Sequence, residues 1–306
     1  MAEASVLHAT ARVMPHPRTC AVEGHVRLVP QKAAWLAVHS VAGLYGLIAF
    51  ADVAAVAVFI GLTAITICAG HSVGMHRLLI HRSFQTYRWL EYVLVWLGTL
   101  VGMAGPYGMI RAHDMRDWHQ RQVVCPPHPS HDAGFWKDAY WQLCCDFRLE
   151  SPPAFQIEAS VSKYPFYRFL ERTWMIQQVP VAGLLYLAGG WTWVLLGVSL
   201  RISVSLIGHW LVGHYAHQGE NIGHHDSDFS VQGLNLPRLG LITFGENWHG
   251  NHHAFPNSAR LAIDKGQIDP GFWLIRGLNG LGLVWNIQLP CSRSNGIELV
   301  QRELDA

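Results

Sequence analysis

The stretch VAAVAVFIGLTAITICAGHSVGMHRLLIHRSF, Val53 to Phe84, begins as chain suited to lipid and ends in histidine and arginine. Its first part, Val53 to Gly70, carries no charged residue and approaches the ~20 residues needed to span a bilayer. Ala33 to Phe50 is a second run of the same kind, separated from it only by Ala51-Asp52. Together they predict a transmembrane hairpin with a minimal outer turn. Arg12, Arg18, Arg27 and Lys32 precede the hairpin, and Arg77, Arg82 and Arg88 follow it. Positive charge favours the cytoplasmic side, so both ends of the hairpin belong there.

Working outward, a further apolar pair follows from Met175 to Ala188 and from Thr192 to Val212, joined by the turn Gly189-Gly190-Trp191. Arg201 lies inside it and is expected to snorkel or to face the protein interior, because a bare cation in lipid is costly. Trp89 to Ile110 is apolar but interrupted by Gly98, Gly102, Gly105, Pro106 and Gly108, and reads as an interfacial or partly embedded helix. A crossing there would set the histidines after it on the opposite side from those at 76 and 81. The expected fold is therefore an all-α integral membrane protein, with four transmembrane helices in two hairpins under a cytoplasmic helical cap. The spans fall at about 33–50, 53–70, 175–188 and 192–212, within a membrane domain covering 33–290. Residues 1–32 and 291–306 read as cytoplasmic tails.

Composition agrees. Half of the 306 residues are hydrophobic and only 14% are charged, against about 25% in soluble proteins. A net charge of +1 leaves no electrostatic footprint for nucleic acid. The six cysteines form no C-x-x-C pair, which argues against a disulfide scaffold or a structural zinc site.

The 19 histidines carry the chemistry. In Gly245-Glu246-Asn247-Trp248-His249-Gly250-Asn251-His252-His253-Ala254-Phe255-Pro256, the spacing i, i+3, i+4 puts three imidazoles on one helical face. Neutral imidazole is a ligand for iron, copper, zinc and nickel, and packing alone gives little reason for such a cluster. His76 and His81 are five apart, about 140° around an ideal helix, so converging them requires a helix end or a distortion. In Arg111 to Gln122, His113 and Asp117 share a face at i, i+4, with Arg116 beside them and His119 off that face. His209, His214 and His217 close the last span.

His76-Arg77-x-x-x-His81-Arg82-Ser83-Phe84 and Gly245-Glu246-x-Trp248-His249-x-Asn251-His252-His253-Ala254-Phe255-Pro256 resemble the membrane-bound fatty acid desaturases of the delta-9 acyl-CoA and acyl-lipid type. Asp269-Pro270-Gly271-Phe272-Trp273 and Leu281-Gly282-Leu283-Val284-Trp285 resemble that family's C-terminal segment. The resemblance implies a cap holding two iron ions on about nine histidines, using O₂ and electrons to remove two hydrogens from an unactivated acyl chain. It assigns His76, His81, His249, His252 and His253 as ligands, with His217 as the lone histidine after the last span. His113 matches the first histidine of the family's middle H-x-x-H-H. The next two histidines of that motif fall on Arg116 and Asp117, and a position usually held by Asn falls on Gly213. Three accounts of the gap follow: Asp117 replaces an imidazole as ligand, His119, His214 or His209 fills in through a shifted backbone, or the site holds metal poorly. Arg116, Glu246 and Asn251 are expected to support the ligands.

The expected activity is O₂-dependent desaturation of a long-chain fatty acyl substrate, carried on CoA, acyl carrier protein or a lipid, with a delta-9-like acyl-CoA reaction in first place. A diiron hydroxylase or acetylenase is the nearest rival. A histidine-rich metal transporter is a rival of another class, and predicts polar residues along a path through the spans, which carry little beyond Arg201, Ser203 and Ser205. No cytochrome-b5-like or ferredoxin segment is visible, so a separate electron donor of one of those kinds is expected. The implied location is a bacterial inner membrane, multi-pass, with both termini and the site cytoplasmic.

Overall fold

The computed structural model describes residues 12–218 and 231–290; the expected C-terminal tail at 291–306 and the first eleven residues lie outside them. The chain enters through two short strands, β1 (Val13–Met14) and β2 (Gly24–Leu28). Helix α1 (Pro30–Phe50) follows, started by a proline in its first turn. Asp52 then caps α2 (Val53–Ile65) by accepting from the Ala55 amide at 2.8 Å. The helix does not stop at Ile65. It widens from Thr66 to Ile80 into i→i+5 hydrogen bonding, so a single rod runs from Val53 to Ile80.

Beyond it come β3 (Gln85–Thr86), α3 (Arg88–Leu100), α4 (Pro106–Gln120) and α5 (Phe135–Cys144). Then follow β4 (Cys145–Leu149), β5 (Ala154–Phe155), and the short helices α6 (Ala159–Ser162) and α7 (Pro165–Thr173). The last long pair is α8 (Gln178–Val194) and α9 (Arg201–Ala216), joined through a wide turn at Leu195–Leu200. Helices α10 (Gly240–Thr243), α11 (His249–Ala254) and α12 (Pro270–Gly280) and strand β6 (Val284–Trp285) complete the described chain.

Among the described residues, three helical runs are long and apolar enough to cross a membrane: Pro30–Phe50, Val53–Ile80 and Gln178–Ala216. Their outer faces carry bare aliphatic side chains, with Val41, Ile48, Val53 and Leu187 each 71–88% exposed. In water such a surface would aggregate; against lipid it is at home. The third run is not one rod. Gly189 and Gly190 leave helical geometry, Gly190 at φ 67°. Leu185 Cδ1 lies 2.8 Å from where a Gly197 Cβ would sit. Twelve residues of straight helix would hold the two about 18 Å apart, so the chain doubles back at the glycine pair.

Arg201, 1% exposed, faces the protein interior. Its guanidinium donates to the Gly197 and Leu100 carbonyls and to Gln178 Oε1. Helix α3 lies against the widened part of α2 because glycines allow it. A Cβ on Gly70 would come within 2.4 Å of the Gly98 amide nitrogen, and one on Gly74 within 2.5 Å of the Leu94 carbonyl.

Among the described residues the architecture departs from all-α in three two-stranded antiparallel ladders, β1 with β5, β2 with β4, and β3 with β6. Two of them take in the segment read from sequence as a polar tail. Gly24–Leu28 registers against Leu149–Cys145, and Arg12, 4% exposed, donates to Asp114 and to the Ile80 carbonyl. What ties this segment down is long-range ion pairing and strand addition, neither of which has a periodic signature in the sequence.

Candidate metal centre

The widened helix solves the spacing of His76 and His81. With bonds running i→i+5, a five-residue step is one turn, and the His81 amide donates to the His76 carbonyl at 3.0 Å. The two rings come to 4.9 Å between centroids. Each paired arginine turns the other way. Arg77, 1% exposed, donates to Asp269 Oδ1 at 2.9 Å and Ser72 Oγ at 2.9 Å. Arg82 donates to Glu91 Oε1 at 3.1 Å. In the H-R-x-x-x-H-R pattern the histidines face the site and the arginines tie the helix end to its neighbours.

His76, His81, His113 and His252 form one group, with one ring nitrogen of each within 4.8 Å of the others. His76 Nε2 is 3.3 Å from His252 Nε2, and His81 Nε2 is 3.2 Å from His113 Nε2. His217, His249 and His253 form a second group. There His249 Nε2 lies 3.1 Å from His217 Nε2 and 3.0 Å from His253 Nε2. Two nitrogens bound to one metal at about 2.1 Å, at angles between square and tetrahedral, stand roughly 3.0–3.4 Å apart, so both groups fit a metal.

The three histidines of α11 do not act as one face. His249 and His253 serve the second group, while His252 turns to the first, its ring 89° from that of His253. The short helix thus bridges the two groups. Asn251, fully buried beside them, clamps α11 by donating to the Leu261 carbonyl and Gln267 Oε1 and accepting from Asn235.

Outer polar contacts orient the rings. His76 Nδ1 is 2.7 Å from Glu246 Oε2, and Ser72 donates to the other carboxylate oxygen. His113 Nδ1 is 3.2 Å from Asp114 Oδ1, and Asp114 is held by Arg12 at 3.0 Å. His217 Nδ1 meets the Gln232 carbonyl at 3.1 Å. A partner that accepts at Nδ1 leaves the Nε2 lone pair inward, the arrangement typical of metal-bound histidine. Burial, reinforced by neighbouring imidazoles, pushes His81, His249 and His252 well below the ordinary histidine range. Burial holds His253 down to about 4 although Asp117 pulls the other way. Those four imidazoles are therefore neutral, the form that binds metal, at physiological pH. At His113 burial is outweighed by Asp117 and Asp114, which raise its pKa above the ordinary histidine value.

A fatty acid desaturase family model matches residues 51–265, more than two thirds of the chain. The chain belongs to the fatty acid desaturase family. Among its relatives is the sn-1 stearoyl-lipid 9-desaturase of Anabaena variabilis, 34% identical over 77% of this chain and 85% of that one. A Synechocystis sn-1 stearoyl-lipid 9-desaturase is 32% identical over 83% of this chain and 78% of its own. An acyl-CoA 5-desaturase of Anemone leveillei is 31% identical over 76% and 72%. The protein is thus an oxidoreductase of lipid metabolism.

The desaturase does not gather every residue singled out from sequence. Asp117 sits outside both groups, its Oδ2 4.0 Å from His113 Nδ1 and 3.6 Å from Arg121. Burial would raise its pKa, but His113, Arg121 and His253 hold it below the usual carboxylate value. Arg116 Nη1 lies 3.8 Å from the position of a Gly213 Cβ, beside the second group. His119 packs on Phe147 of β4, and His209 packs edge-on against His71, ring centroids 5.0 Å apart. His214 Nδ1 is 2.8 Å from Asp138 Oδ2. None of these three histidines joins either group; His214 gathers instead with His131 and Asp138 in a third.

Sequence reasoning passed over His131 and Asp138. His131 Nδ1 is 3.0 Å from Asp138 Oδ2, and its ring lies 5.5 Å from that of His217, nearly parallel at 17°. Prolines at 126, 127 and 129 remove the helical periodicity that would have flagged it.

Proposed function

We propose that this desaturase carries out O₂-dependent insertion of a double bond, delta-9-like, into a long-chain fatty acyl substrate carried on CoA or a lipid. Overall, R–CH₂–CH₂–R′ + O₂ + 2e⁻ + 2H⁺ gives R–CH=CH–R′ + 2H₂O. The electrons come from a separate donor of the ferredoxin or cytochrome b5 kind. The observation that carries the reading is the pair of converging imidazole groups bridged by α11. His76, His81, His113 and His252 would hold one iron, and His217, His249 and His253 the other. Iron bound there supplies the redox chemistry that lets O₂ oxidise C–H bonds no side-chain acid or base can attack.

The chain's own residues prepare the site. Glu246, Asp114 and the Gln232 carbonyl fix the ring tautomers, and Asp117 with Arg121 balances charge behind His113. The apolar outer faces of α1, α2, α8 and α9 support anchorage in a bilayer. The reversal at Gly189–Gly190 supports four spans in two hairpins, with the basic residues around Lys32 and Arg77 on the cytoplasmic side of a bacterial inner membrane.

The test is the fatty-acid profile, by gas chromatography with mass spectrometry, of a bacterial host expressing the chain beside a His252→Ala, His253→Ala control. A monounsaturated acid made only by the intact chain, with its double bond at C9, is the expected result. A hydroxy or acetylenic product would overturn the reaction class, and the same new acid from the control would overturn the role of the histidines.

A further inference from the structure

The two imidazole groups are unequal: four rings in one, three in the other. Beside the smaller group stands His131, 1% exposed, on the loop between α4 and α5. Its Nδ1 faces the carboxylate of the fully buried Asp138, and its Nε2 is buried with no hydrogen-bond partner among the described residues. A buried, unpartnered ring nitrogen costs on the order of 1–3 kcal/mol, so its position calls for an explanation. That nitrogen lies 3.1 Å from where a Cβ on Gly213 would be, so a side chain at 213 would crowd it by a few tenths of an ångström. The ring stands 5.5 Å from His217, comparable to the 5.3 Å that separates His217 from His253.

Two further observations point the same way. His131 holds φ at +58°, a left-handed conformation costly for a residue with a side chain and concentrated at ligand-binding positions. Its carbonyl is pinned by Gln218 Nε2 at 2.9 Å, so the strain is held in place. Asp138 itself is not a metal ligand in waiting. Its Oδ2 is within hydrogen-bond reach of Trp210 Nε1 at 2.8 Å, His214 Nδ1 at 2.8 Å and His131 Nδ1 at 3.0 Å, while Gln142 donates to Oδ1. Trp210 can only donate, so this carboxylate works as a hydrogen-bonded anchor.

We propose that His131 Nε2 is the fourth nitrogen donor to the second metal, oriented by Asp138, in a room left open by Gly213. The inference rests on the two-metal reading above and deepens it. It gives the second site the same four imidazoles as the first and takes the missing ligand from a loop rather than from Asp117 on α4. Carboxylate partners behind a ligand histidine commonly govern metal affinity 10- to 100-fold, the role assigned here to Asp138.

The experiment measures iron per chain, by inductively coupled plasma mass spectrometry, on purified full-length protein in detergent after dialysis against a mild chelator. Intact protein, His131→Ala, His131→Gln and Asp117→Asn are compared, with thermal melting of each. The expected result is about half the iron of the intact protein in both His131 variants, an unchanged content in Asp117→Asn, and recovery of His131→Ala on adding free imidazole with iron. A structural role alone would not give imidazole rescue. Full iron content in His131→Ala, or loss confined to Asp117→Asn, would overturn the assignment. An intact protein that itself binds a single iron would sink the two-metal reading instead, and the two failures are thereby told apart.

Discussion

His76 and His252 meet at 3.3 Å between their Nε2 atoms although 176 positions separate them in the chain. That contact joins the end of the second apolar rod to α11, and it commits His252 away from its neighbour His253. Glu246 stands behind His76 at 2.7 Å. Replacing Glu246 with Gln keeps the shape but removes the charge that favours a donating Nδ1–H. Iron affinity of the first group should fall about 10- to 100-fold while the second group is spared. Competitive chelation of the purified variant reads this directly, and equal weakening of both irons would contradict it.

Arg77 and Asp269 are buried at 1% and 2% exposure and paired at 2.9 Å. Asp269 also accepts from the Leu261 and Phe272 amides. Arg77→Ala strands a buried carboxylate, and a loss of about 3–5 kcal/mol is expected. Lys32→Ala, which breaks a half-exposed pair with Asp146, should cost less than about 1 kcal/mol. Thermal melting in micelles compares the two, and similar melting temperatures would refute the contrast.

Gly74→Ala tests how closely α3 lies on α2. The new methyl would stand 2.5 Å from the Leu94 carbonyl oxygen, a backbone atom that cannot swing aside. Overpacking of about 1–3 kcal/mol follows, read as a lower melting temperature. Gly277→Ala, which meets nothing within 4 Å, is the control and should be neutral or mildly stabilising.

Acid should release the N-terminal segment through Glu158. Burial alone would raise this carboxyl's pKa, but two 2.7 Å contacts from Arg12 lower it below the ordinary value. A group depressed in the folded state stabilises above its unfolded pKa and loses that contribution as pH falls through the folded one. The melting-temperature gap between intact protein and Glu158→Gln should therefore be full at neutral pH and close below about pH 4. A gap that widens in acid would contradict the sign.

The long apolar helices and the histidines of the two groups were legible in the sequence because apolar run length and dense local motifs are written in neighbouring residues. The Gly189–Gly190 reversal was legible for the same reason. Three features were not. The five-residue step from His76 to His81 became productive only through a widened helix, which no propensity scale signals. The split of His252 from His249 and His253 depends on where the second apolar rod ends relative to α11. His131 and Arg12 reach the site from proline-broken or extended chain, and Arg12 meets Asp114 across 102 positions. Such contacts are fixed by tertiary packing alone.

The central claim is that two metals sit side by side, with α11 giving one histidine to the first and two to the second. The most direct measurement is an anomalous-difference map at the iron edge from crystals of the iron-loaded protein. Two peaks are predicted, one enclosed by His76, His81, His113 and His252, the other by His217, His249 and His253. A single peak, or two peaks with His252 and His253 on the same ion, would contradict it.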